Sequence, residues 1–327
     1  KVNDFYSGEE PIDLTLNLGY AYDFDEKNTN ESEKDKFPYK NKEEFIDNIE
    51  IKKSSKLPKN FPYLSMIILI VIVSGCLFSD LVMTHDPKFM DLANSNVSPN
   101  NIFYFGTDTM GRDIFSDIWY GGKISLFIGV FSTIISTTIA IIYGSISGMA
   151  PEWIDDLMMK ATEILLSIPS ILIIIFVQAI IGGSNPVSIS IVIGLVSWMS
   201  ISKIVRSEVR QIRNSEYILA AKIMGGKFFY IVKQHLVPNF ISSIMFMVVS
   251  NIGSAIATES TLSFLGIGLP IEIISWGSML SLAQDALLSN YWWIILIPGL
   301  FLVVTLVSIA NIGNYLRRKN IKKYNNL

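Results

Sequence analysis

The sequence predicts an all-α polytopic membrane protein with six transmembrane helices and with both termini in the cytoplasm. Hydrophobic residues make up 50% of the 327 residues and the mean hydropathy is +0.42, whereas charged residues make up 17%. Long apolar runs separated by polar segments are typical of chains that cross a bilayer several times. Blocks of Lys and Arg stand before the first run, in the middle of the chain and after the last run, and such blocks stay in the cytoplasm.

Residues 1–60 are predicted to form a cytoplasmic and largely disordered tail, with one short helix around residues 43–51. The segment is rich in Lys, Asn, Asp and Glu and has no helical periodicity, so it cannot bury enough apolar surface to fold alone. It holds the acidic excess behind the net charge of −3, and that charge therefore predicts no nucleic-acid partner. The cations that would keep the start of the first span inside are Lys52, Lys53, Lys56 and Lys59.

Six apolar runs are predicted to form a transmembrane domain over residues 61–320, followed by a cytoplasmic tail over residues 321–327. A helix needs about 20 apolar residues to cross a hydrocarbon core of about 30 Å, and the runs have about this length. They cover residues 63–83, 124–147, 164–181, 187–204, 240–258 and 291–315. Residues 149–163 are predicted to be a short connecting loop. The cations that follow the last run and fix the C-terminus inside are Arg317, Arg318, Lys319, Lys322 and Lys323.

Residues 84–123 are predicted to lie outside the cell, because the first span leads out of the cytoplasm. The apolar residues that repeat there at helical spacing are Ile114, Phe115, Ile118 and Trp119. The polar residues opposite them are Arg112, Asp113, Ser116 and Asp117. One apolar face and one polar face predict a helix that lies on the membrane surface.

Residues 206–238 form a polar, Lys- and Arg-rich island between two long apolar runs, and this island is predicted to be cytoplasmic. Good helix formers over residues 215–224 predict one helix, and Gly225 can adopt the positive φ that ends it. A second helix is predicted over residues 227–236, and Pro238 is expected to stop or kink it before the next span. A plain loop that joins two spans is the alternative interpretation.

Residues 259–290 contain no Lys or Arg and are predicted to lie outside, as a re-entrant or interfacial hairpin. Gly266, Gly268 and Pro270 are expected to break its helices. Glu259 is a carboxylate at membrane depth or just above it, where such residues usually face a cavity or a partner. A role at the end of a helix is the alternative for Glu259.

The central island resembles the EAA loop of ABC-type import permeases, in which Glu-Ala-Ala is followed by three residues, Gly, nine residues and Ile-x-Leu-Pro. The positions that fit this pattern are Ala220, Ala221, Gly225 and Pro238. The positions that depart from it are Leu219 in place of Glu, His235 in place of Ile and Val237 in place of Leu. Glu216 lies about one helical turn before Leu219 and is a candidate for the missing carboxylate.

Two further blocks resemble the oligopeptide and dipeptide permeases of the C-subunit type, and the resemblance extends over residues 61–320. The first block reads GTDxxGRD followed by YGxxISL, and it matches at Gly106, Thr107, Asp108, Gly111, Arg112, Asp113, Tyr120, Gly121, Ile124, Ser125 and Leu126. The second block joins Glu259 to TLSFLG and SWGSML, and its matching positions include Ser263, Phe264, Gly266, Trp276 and Gly277.

This resemblance implies a type I ABC importer permease fold and a subunit that carries oligopeptides or dipeptides into the cell. It implies a heterodimer with a second homologous permease subunit, two cytoplasmic ATPase subunits that bind ATP and Mg, an extracytoplasmic peptide-binding protein, and surrounding membrane lipid. The chain itself would hold no cofactor. The residues that the resemblance implies for coupling to an ATPase subunit are Glu216, Ala220, Ala221, Gly225 and Pro238.

Enzyme chemistry finds no support in the sequence. No P-loop of the form GxxxxGK[ST], no HExxH and no GxSxG motif occurs, so ATP hydrolysis is expected in partner subunits. Cys76 is the single cysteine, and His85 and His235 lie on different segments, so no metal site is predicted. Nickel or metal-chelate import is a second interpretation, since the same family branch includes nickel permeases. An ion-coupled secondary transporter is a third interpretation, and a membrane scaffold without transport is a fourth.

Overall fold

The computed structural model describes residues 61–286 and 290–324, and within these ranges the chain is built from helices without a β-strand. The predicted N-terminal tail of residues 1–60 lies outside the described residues. So do residues 287–289 of the predicted hairpin and residues 325–327 at the end of the chain. The all-α prediction is confirmed for the part of the chain that is described.

The helices follow one another in the order that the apolar runs predict. The first are α1 (Tyr63–Leu77), α2 (Ser79–Val82), α3 (Ile114–Met149), α4 (Glu152–Ser167), α5 (Ser170–Ile181) and α6 (Pro186–Ile212). They continue as α7 (Glu216–Ile223), α8 (Phe228–Ile231), a π-helical turn (Val232–Leu236), α9 (Val237–Phe264), α10 (Trp276–Ala286) and α11 (Trp292–Tyr324).

Four helical stretches in the described ranges are long and apolar enough to cross a membrane: α3, α6, Phe228–Phe264, and residues Trp292–Lys319 of α11. The bent pair α4 and α5 makes a fifth if it is counted as one span. Helix α1 is apolar as well, but it has 15 residues, fewer than the about 20 of a straight crossing. A protein with several spans is therefore confirmed, whereas the number six stays a prediction.

Helix α3 runs without interruption for 36 residues, so the separate surface helix predicted over residues 114–119 is wrong. Asp113 caps its start by accepting a hydrogen bond from the Ser116 N–H at 3.1 Å. The face expected to meet water is buried, since Ser116 and Asp117 are inaccessible to solvent. The reason is that the preceding segment folds back over this face, where the Thr84 N–H donates to the Ser116 hydroxyl at 3.1 Å.

Helices α3 and α6 pack closely through small residues. A Cβ atom at Gly144 would stand 2.6 Å from the Ser202 carbonyl oxygen, and one at Gly194 would stand 2.9 Å from the Ser132 carbonyl oxygen. Close backbone approach favours helix association in lipid, where apolar side chains gain little by leaving the hydrocarbon. Gly144 and Gly194 are therefore two points at which the backbones of these helices approach each other closely.

The predicted loop over residues 149–163 is wrong, because α4 begins at Glu152. The predicted third span over residues 164–181 is broken, since α4 and α5 are joined through Ile168 and Pro169 and are bent by 91°. The backbone of Ile168 is extended, with a ψ of 131°, as the residue before a proline prefers. Pro169 has no N–H with which to continue α4.

The second helix of the central loop continues into the fifth span. Phe228–Phe264 forms one candidate span of 37 residues, so of the two expectations for Pro238, a stop or a kink, the stop is wrong. The π-helical turn precedes this proline, and across it the Val237 N–H bonds to the Val232 carbonyl. In a regular helix the proline ring would clash with the carbonyl of the preceding turn, and a wider turn relieves that crowding.

Helix α9 ends at Phe264, and residues 265–275 connect it to α10. Gly266, Gly268 and Pro270, which the sequence predicts to be helix breakers, all lie in this connection. Helix α10 packs against α9 and α11 and closes the end of the bundle at which α3 begins.

Candidate functional site

Residues 216–231, here called the loop arm, consist of α7, a tight turn and α8. Ile218 in α7 is completely buried, and it belongs to an apolar cluster with Val209 of α6, Leu236 and Phe240. Removing these side chains from water stabilises their contact, so the cluster holds α7 against the bundle. The loop arm is thereby attached to both α6 and α9.

The outer side of the loop arm is apolar and exposed. Ile223 and Met224 at its tip are 87% and 86% exposed. Lys222 and Lys227 flank them in the sequence, and cations of this kind do not rest in hydrocarbon without a large cost. Large apolar side chains that are rimmed by charges in this way are typical of a protein-binding surface.

The residues predicted to couple the chain to a partner lie along this arm. Gly225 ends α7 with a φ of +80°, as predicted. Glu216 in the first turn of α7 and Ala220 in its last turn lie on the same short helix as Ala221. Pro238 lies beyond the π-helical turn, at the start of α9. The first four residues therefore share one small element, and Pro238 does not belong to it.

An ion-pair cluster that sequence reasoning missed lies beside the loop arm. The carboxylate of Asp155 in α4 is buried and binds Arg206 of α6 at 2.6 Å and Arg210 of α6 at 2.9 Å. It also accepts a hydrogen bond from the Ser147 hydroxyl of α3. One carboxylate therefore joins α3, α4 and α6.

The spacing of the cations in α6 is the signal that could have found this cluster. Arg206, Arg210 and Arg213 recur after four and three residues, which places them on one helical face. Arg213 extends the same face by donating to the Gly148 carbonyl oxygen at 3.1 Å, where α3 ends. Their acidic partner is not evident from the sequence, because it lies in residues 149–163, which are predicted to be a loop.

The GTDxxGRD block lies at the opposite end of α3 and builds a fixed turn. The Asp108 carboxylate accepts hydrogen bonds from the Arg112 Nε at 2.8 Å and from the Arg112 backbone N–H at 2.9 Å. The Thr107 hydroxyl donates to the Asn94 carbonyl at 2.6 Å. These hydrogen bonds, together with the cap that Asp113 forms on α3, fix the conformation of the segment that leads into α3.

Two glycines of the block stand where a side chain has no room. A Cβ atom at Gly111 would lie 1.8 Å from the Asp91 carbonyl oxygen, and the φ of this glycine is +75°. A Cβ atom at Gly106 would lie 2.6 Å from the Val97 carbonyl oxygen and 2.8 Å from the Trp293 ring. The segment before α3 is therefore packed tightly on itself and on α11.

Glu259 is buried among hydroxyl groups close to this end. The Ser275 and Ser263 hydroxyls donate to its carboxylate at 2.8 Å and 2.9 Å. The Ser125 hydroxyl of α3 lies 3.4 Å away and accepts the Trp276 N–H at 3.1 Å. Glu259 thus ties α9 to α3 and to the start of α10, which are far apart in the sequence.

Of the remaining predicted positions of the second block, Trp276 and Gly277 lie close to Glu259, and Phe264 and Gly266 lie at the end of α9. Trp276 is completely buried, and a Cβ atom at Gly277 would stand 2.6 Å from the Ser260 Cα. Phe264 is the last residue of α9, and Gly266 is the second residue of the connection, with a φ of +74°. The GTDxxGRD and SWGSML blocks are therefore brought together at the end of the bundle at which α3 begins, where the Trp276 Nε1 donates to the Ile118 carbonyl oxygen at 3.0 Å, and the loop arm lies toward the other end of α3.

Metal-binding side chains are scattered in the described part of the chain. There, no group of three or more His, Cys, Asp or Glu side chains is arranged to hold a metal ion. His85 lies 3.4 Å from Asp113 at one end of the bundle, whereas His235 lies in the π-helical turn beside the loop arm.

The chain matches known transport proteins over most of its length. The family model described as the binding-protein-dependent transport system inner membrane component matches residues 140–322. The chain belongs to this family. The permease is 33% identical over 265 residues to the dipeptide transport system permease protein DppC of Bacillus subtilis, with 81% of each chain covered. It is 34% identical over 252 residues to the oligopeptide transport system permease protein OppC of the same organism, with 77% of this chain and 82% of that one covered.

The permease is accordingly a multi-pass protein of the bacterial plasma membrane, and the predicted family is confirmed. Membership implies an ABC importer that has further permease and ATPase subunits and a binding protein, and it implies a transport component rather than an enzyme. The matched range includes the Asp155 cluster, the loop arm and Glu259. The GTDxxGRD block lies before it.

Proposed function

We propose that the permease is one of two homologous membrane subunits of an importer that carries oligopeptides or dipeptides into the cell. Two cytoplasmic ATPase subunits bind ATP and Mg, and an extracytoplasmic binding protein delivers the peptide. The peptide cargo is supported by two relatives, DppC of a dipeptide transport system and OppC of an oligopeptide transport system. Each of these proteins shares about a third of its matched residues with this chain. The chain itself carries no cofactor in this proposal.

The loop arm lies in the cytoplasm in this proposal, and residues 84–113 lie outside. The position of the described cations supports this orientation, because basic residues collect on the cytoplasmic side. Arg213 and Lys222 stand at the loop arm, and Arg317 of α11 lies 5.6 Å from the ring of Phe246, which is in the half of α9 nearer to the loop arm. The six spans are α1, α3, the pair α4–α5, α6, α8–α9 and α11, and an even number returns the C-terminus to the inside.

The exposed tip of the loop arm is the observation that carries the coupling role. Ile223 and Met224 are 86% or more exposed, while Ile218, about one turn earlier, is completely buried in the bundle. A short helix that is anchored on one side and apolar on the other is suited to insert into a groove of a second protein. A loop that merely joined two spans would gain nothing from such a tip.

Alternating access then follows from movement of the loop arm. Closure of the ATPase dimer on ATP draws the loop arm with it and carries α6 and α9 toward an outward-open arrangement. The binding protein releases its peptide into the opened cavity, and hydrolysis returns the helices to the inward-open arrangement. Because Ile218 packs with residues of α6 and α9, neither helix can keep its place when the loop arm is displaced.

Cysteine cross-linking tests the coupling role directly. Cys76 is the single cysteine, so Cys76→Ala gives a cysteine-free chain into which Ile223→Cys is introduced. In the complete importer we expect this thiol to form a cross-link to an ATPase subunit that carries its own surface cysteines. Ile102→Cys is the matched control, since Ile102 is 66% exposed but lies at the opposite end of α3. Cross-linking from Ile102 and none from Ile223 would contradict the proposal.

Uptake assays separate the proposed cargo and energy source from nickel import and from ion-coupled transport. In a strain that lacks the importer, restoring the chain with its partner subunits is expected to restore uptake of radiolabelled peptide and not of radiolabelled nickel. Nickel uptake alone would favour the metal-chelate interpretation. Peptide uptake by the purified chain alone, driven by an ion gradient, would favour a secondary transporter.

A further inference from the structure

Asp155 takes part in none of the proposed steps of alternating access, although its carboxylate is bound by two arginines beside the loop arm. We propose that Asp155, held by Arg206 and Arg210, is the positioning residue that transmits displacement of the loop arm to the bent pair α4–α5. This inference rests on the proposed function, because it assumes that a motor subunit moves the loop arm. We call Asp155, Arg206 and Arg210 the clamp.

The clamp lies where movement of the loop arm first reaches the bundle. Helix α6 ends at Ile212 and α7 begins at Glu216, so Arg210 stands about two helical turns from the loop arm. Arg213 lies between the two helices and donates to the end of α3 at Gly148. A displacement of α7 therefore acts on this end of α6, where the clamp lies, before it acts on the rest of the helix.

The geometry of the clamp fixes the direction of α4 as well as its position. The Arg206 Nε donates to the two Asp155 carboxylate oxygens at 2.9 Å and 3.1 Å, and its terminal nitrogen donates to one of them at 2.6 Å. Arg210 donates to the same carboxylate at 2.9 Å. A planar guanidinium that binds both oxygens holds the partner in one orientation, and the burial of the Asp155 carboxylate reduces screening by salt.

The further ion pairs between α4 and α6 in the described residues are exposed and contribute little. Lys203 and Glu163 approach to 3.2 Å, but the Glu163 side chain is 63% exposed. Arg210 and Glu152 approach only to 4.0 Å, and the Glu152 side chain is also largely exposed. Surface pairs of this kind usually contribute little to stability, because solvent and salt screen them. The clamp is thus the strong polar link between α4 and the helix that leads to the loop arm.

Beyond the clamp, the geometry of the pair α4–α5 allows α4 to rotate relative to α5. The outward side of α4 is apolar and exposed at Trp153, Leu157 and Ile164, so it slides against lipid or a neighbouring subunit without breaking polar contacts. The break at Pro169 and the 91° bend let α4 rotate while α5 keeps its packing on α6. The clamp is consequently the point from which α4 is driven.

The test compares two carboxylates of the same helix in the complete importer, reconstituted into liposomes with its binding protein. Asp155→Asn removes the charge of the clamp, whereas Glu163→Gln removes the exposed pair with Lys203 and is the matched control. We expect Asp155→Asn to lower the peptide taken up per ATP hydrolysed by about tenfold or more, because two arginines lose their partner. We expect Glu163→Gln to stay within about twofold of the unchanged protein.

The ratio of uptake to hydrolysis distinguishes transmission from a merely structural role. A structural defect would lower the rate of peptide uptake and the rate of ATP hydrolysis together and leave their ratio unchanged. An unchanged ratio in Asp155→Asn, whether or not both rates fall, would overturn the proposal. If Asp155→Asn does not assemble, Arg210→Gln replaces it, since Arg206 still pairs with Asp155 there. A ratio lowered by about threefold is then expected, and an unchanged ratio would refute the clamp.

A chemical cross-link tests whether coupling that is lost with the clamp can be restored. In the cysteine-free chain, Asp155→Cys and Arg206→Cys together remove the clamp, and a short bifunctional thiol reagent ties α4 to α6 again. We expect linking to raise the uptake ratio above that of the unlinked pair, and no rise would count against the proposal. The Ile223 cross-link is measured in parallel: its absence in the otherwise unchanged chain defeats the proposed function, whereas its presence with a normal ratio defeats the clamp alone.

Discussion

Replacing Glu259 is expected to loosen the end of the bundle that lies opposite the loop arm. In Glu259→Ala the Ser275 hydroxyl loses its acceptor, and a buried donor left unpaired costs about 1–3 kcal/mol. Ser263 is less affected, because a helical serine can turn its hydroxyl toward the carbonyl four residues earlier. The lost side chain also leaves a cavity that costs a further ~1–2 kcal/mol. Release of a carboxyl group from burial offsets part of this sum, so the net loss is about 2–4 kcal/mol.

The Glu259→Gln variant decides what the carboxyl group contributes. Gln keeps one carbonyl oxygen that accepts from Ser275 and Ser263, and its amide can donate to the Ser125 hydroxyl, which lies 3.4 Å from the Glu259 carboxylate. In the described part of the chain, the groups that hydrogen-bond to the Glu259 carboxylate are hydroxyls and not cations. We therefore expect Glu259→Gln to lie within about 1 kcal/mol of the unchanged protein.

Thermal unfolding of the purified importer in detergent measures both variants. At an unfolding entropy of about 2.1 cal/mol/K per residue, a loss of about 2–4 kcal/mol corresponds to a melting temperature lower by about 3–6 °C in a chain of this size. Thr258→Ala is the matched control, because the Thr258 hydroxyl bonds within its own helix, to the Ser254 carbonyl at 2.8 Å. If Gln lowered the melting temperature as much as Ala, a negative charge would be required and the reasoning from hydroxyl partners would be refuted. Equal melting of Glu259→Ala and Thr258→Ala would remove the structural role altogether.

Three further predictions concern substitutions of single glycines. Gly225→Pro is expected to leave the permease inserted but to lower peptide uptake per ATP by about tenfold, because Pro fixes φ near −65° where the turn needs +80°; normal uptake would remove the loop arm from coupling. Gly111→Ala is expected to abolish most binding-protein-dependent uptake, because its Cβ would lie 1.8 Å from the Asp91 carbonyl oxygen. Gly183→Ala is the control: its φ of +73° costs about 1–2 kcal/mol of stability, but the site is open, so most uptake should remain. An equal loss of uptake in the two variants would contradict this reasoning. Gly144→Val is expected to lower stability by about 3 kcal/mol through overpacking of α3 on α6, and an unchanged melting temperature would argue against that seam.

The spans and the loop arm could be predicted because their signals run along the chain. An apolar run of sufficient length is stable as a helix in lipid whatever its neighbours are, and Gly225 ends α7 by its own backbone preference. The GTDxxGRD and SWGSML blocks could be recognised as patterns in the same way. Their meeting around Glu259 could not be derived from spacing, since Ser125 and Glu259 are 134 residues apart.

The errors arose where a partner in space decides the outcome. Residues 149–163 are rich in acids and poor in cations, which favours a loop when they are considered alone. The arginines of α6 reverse that balance, because Asp155 bound to Arg206 is no longer an unpaired charge in an apolar surrounding. The surface helix before the second span failed for the same reason, since Asp117 lies within 3.7 Å of Arg112 and is covered rather than solvated.

Two elements lead from the loop-arm end of the permease toward the opposite end: helix α3, which is unbroken, and the pair α4–α5, which is bent. This difference bears on how a movement of the loop arm is distributed. Helix α3 contains no proline and is unbroken from Ile114 to Met149, about 54 Å where a hydrocarbon core is about 30 Å thick. It contacts Asp155 through Ser147 and approaches Glu259 through Ser125, so any tilt imposed at the loop arm reappears at the opposite end. The pair α4–α5 starts from the same clamp but is bent by 91° at Ile168 and Pro169, so the same push changes its shape instead. Opening toward one side while closing toward the other requires both responses, and a bundle of straight helices alone would supply only the first.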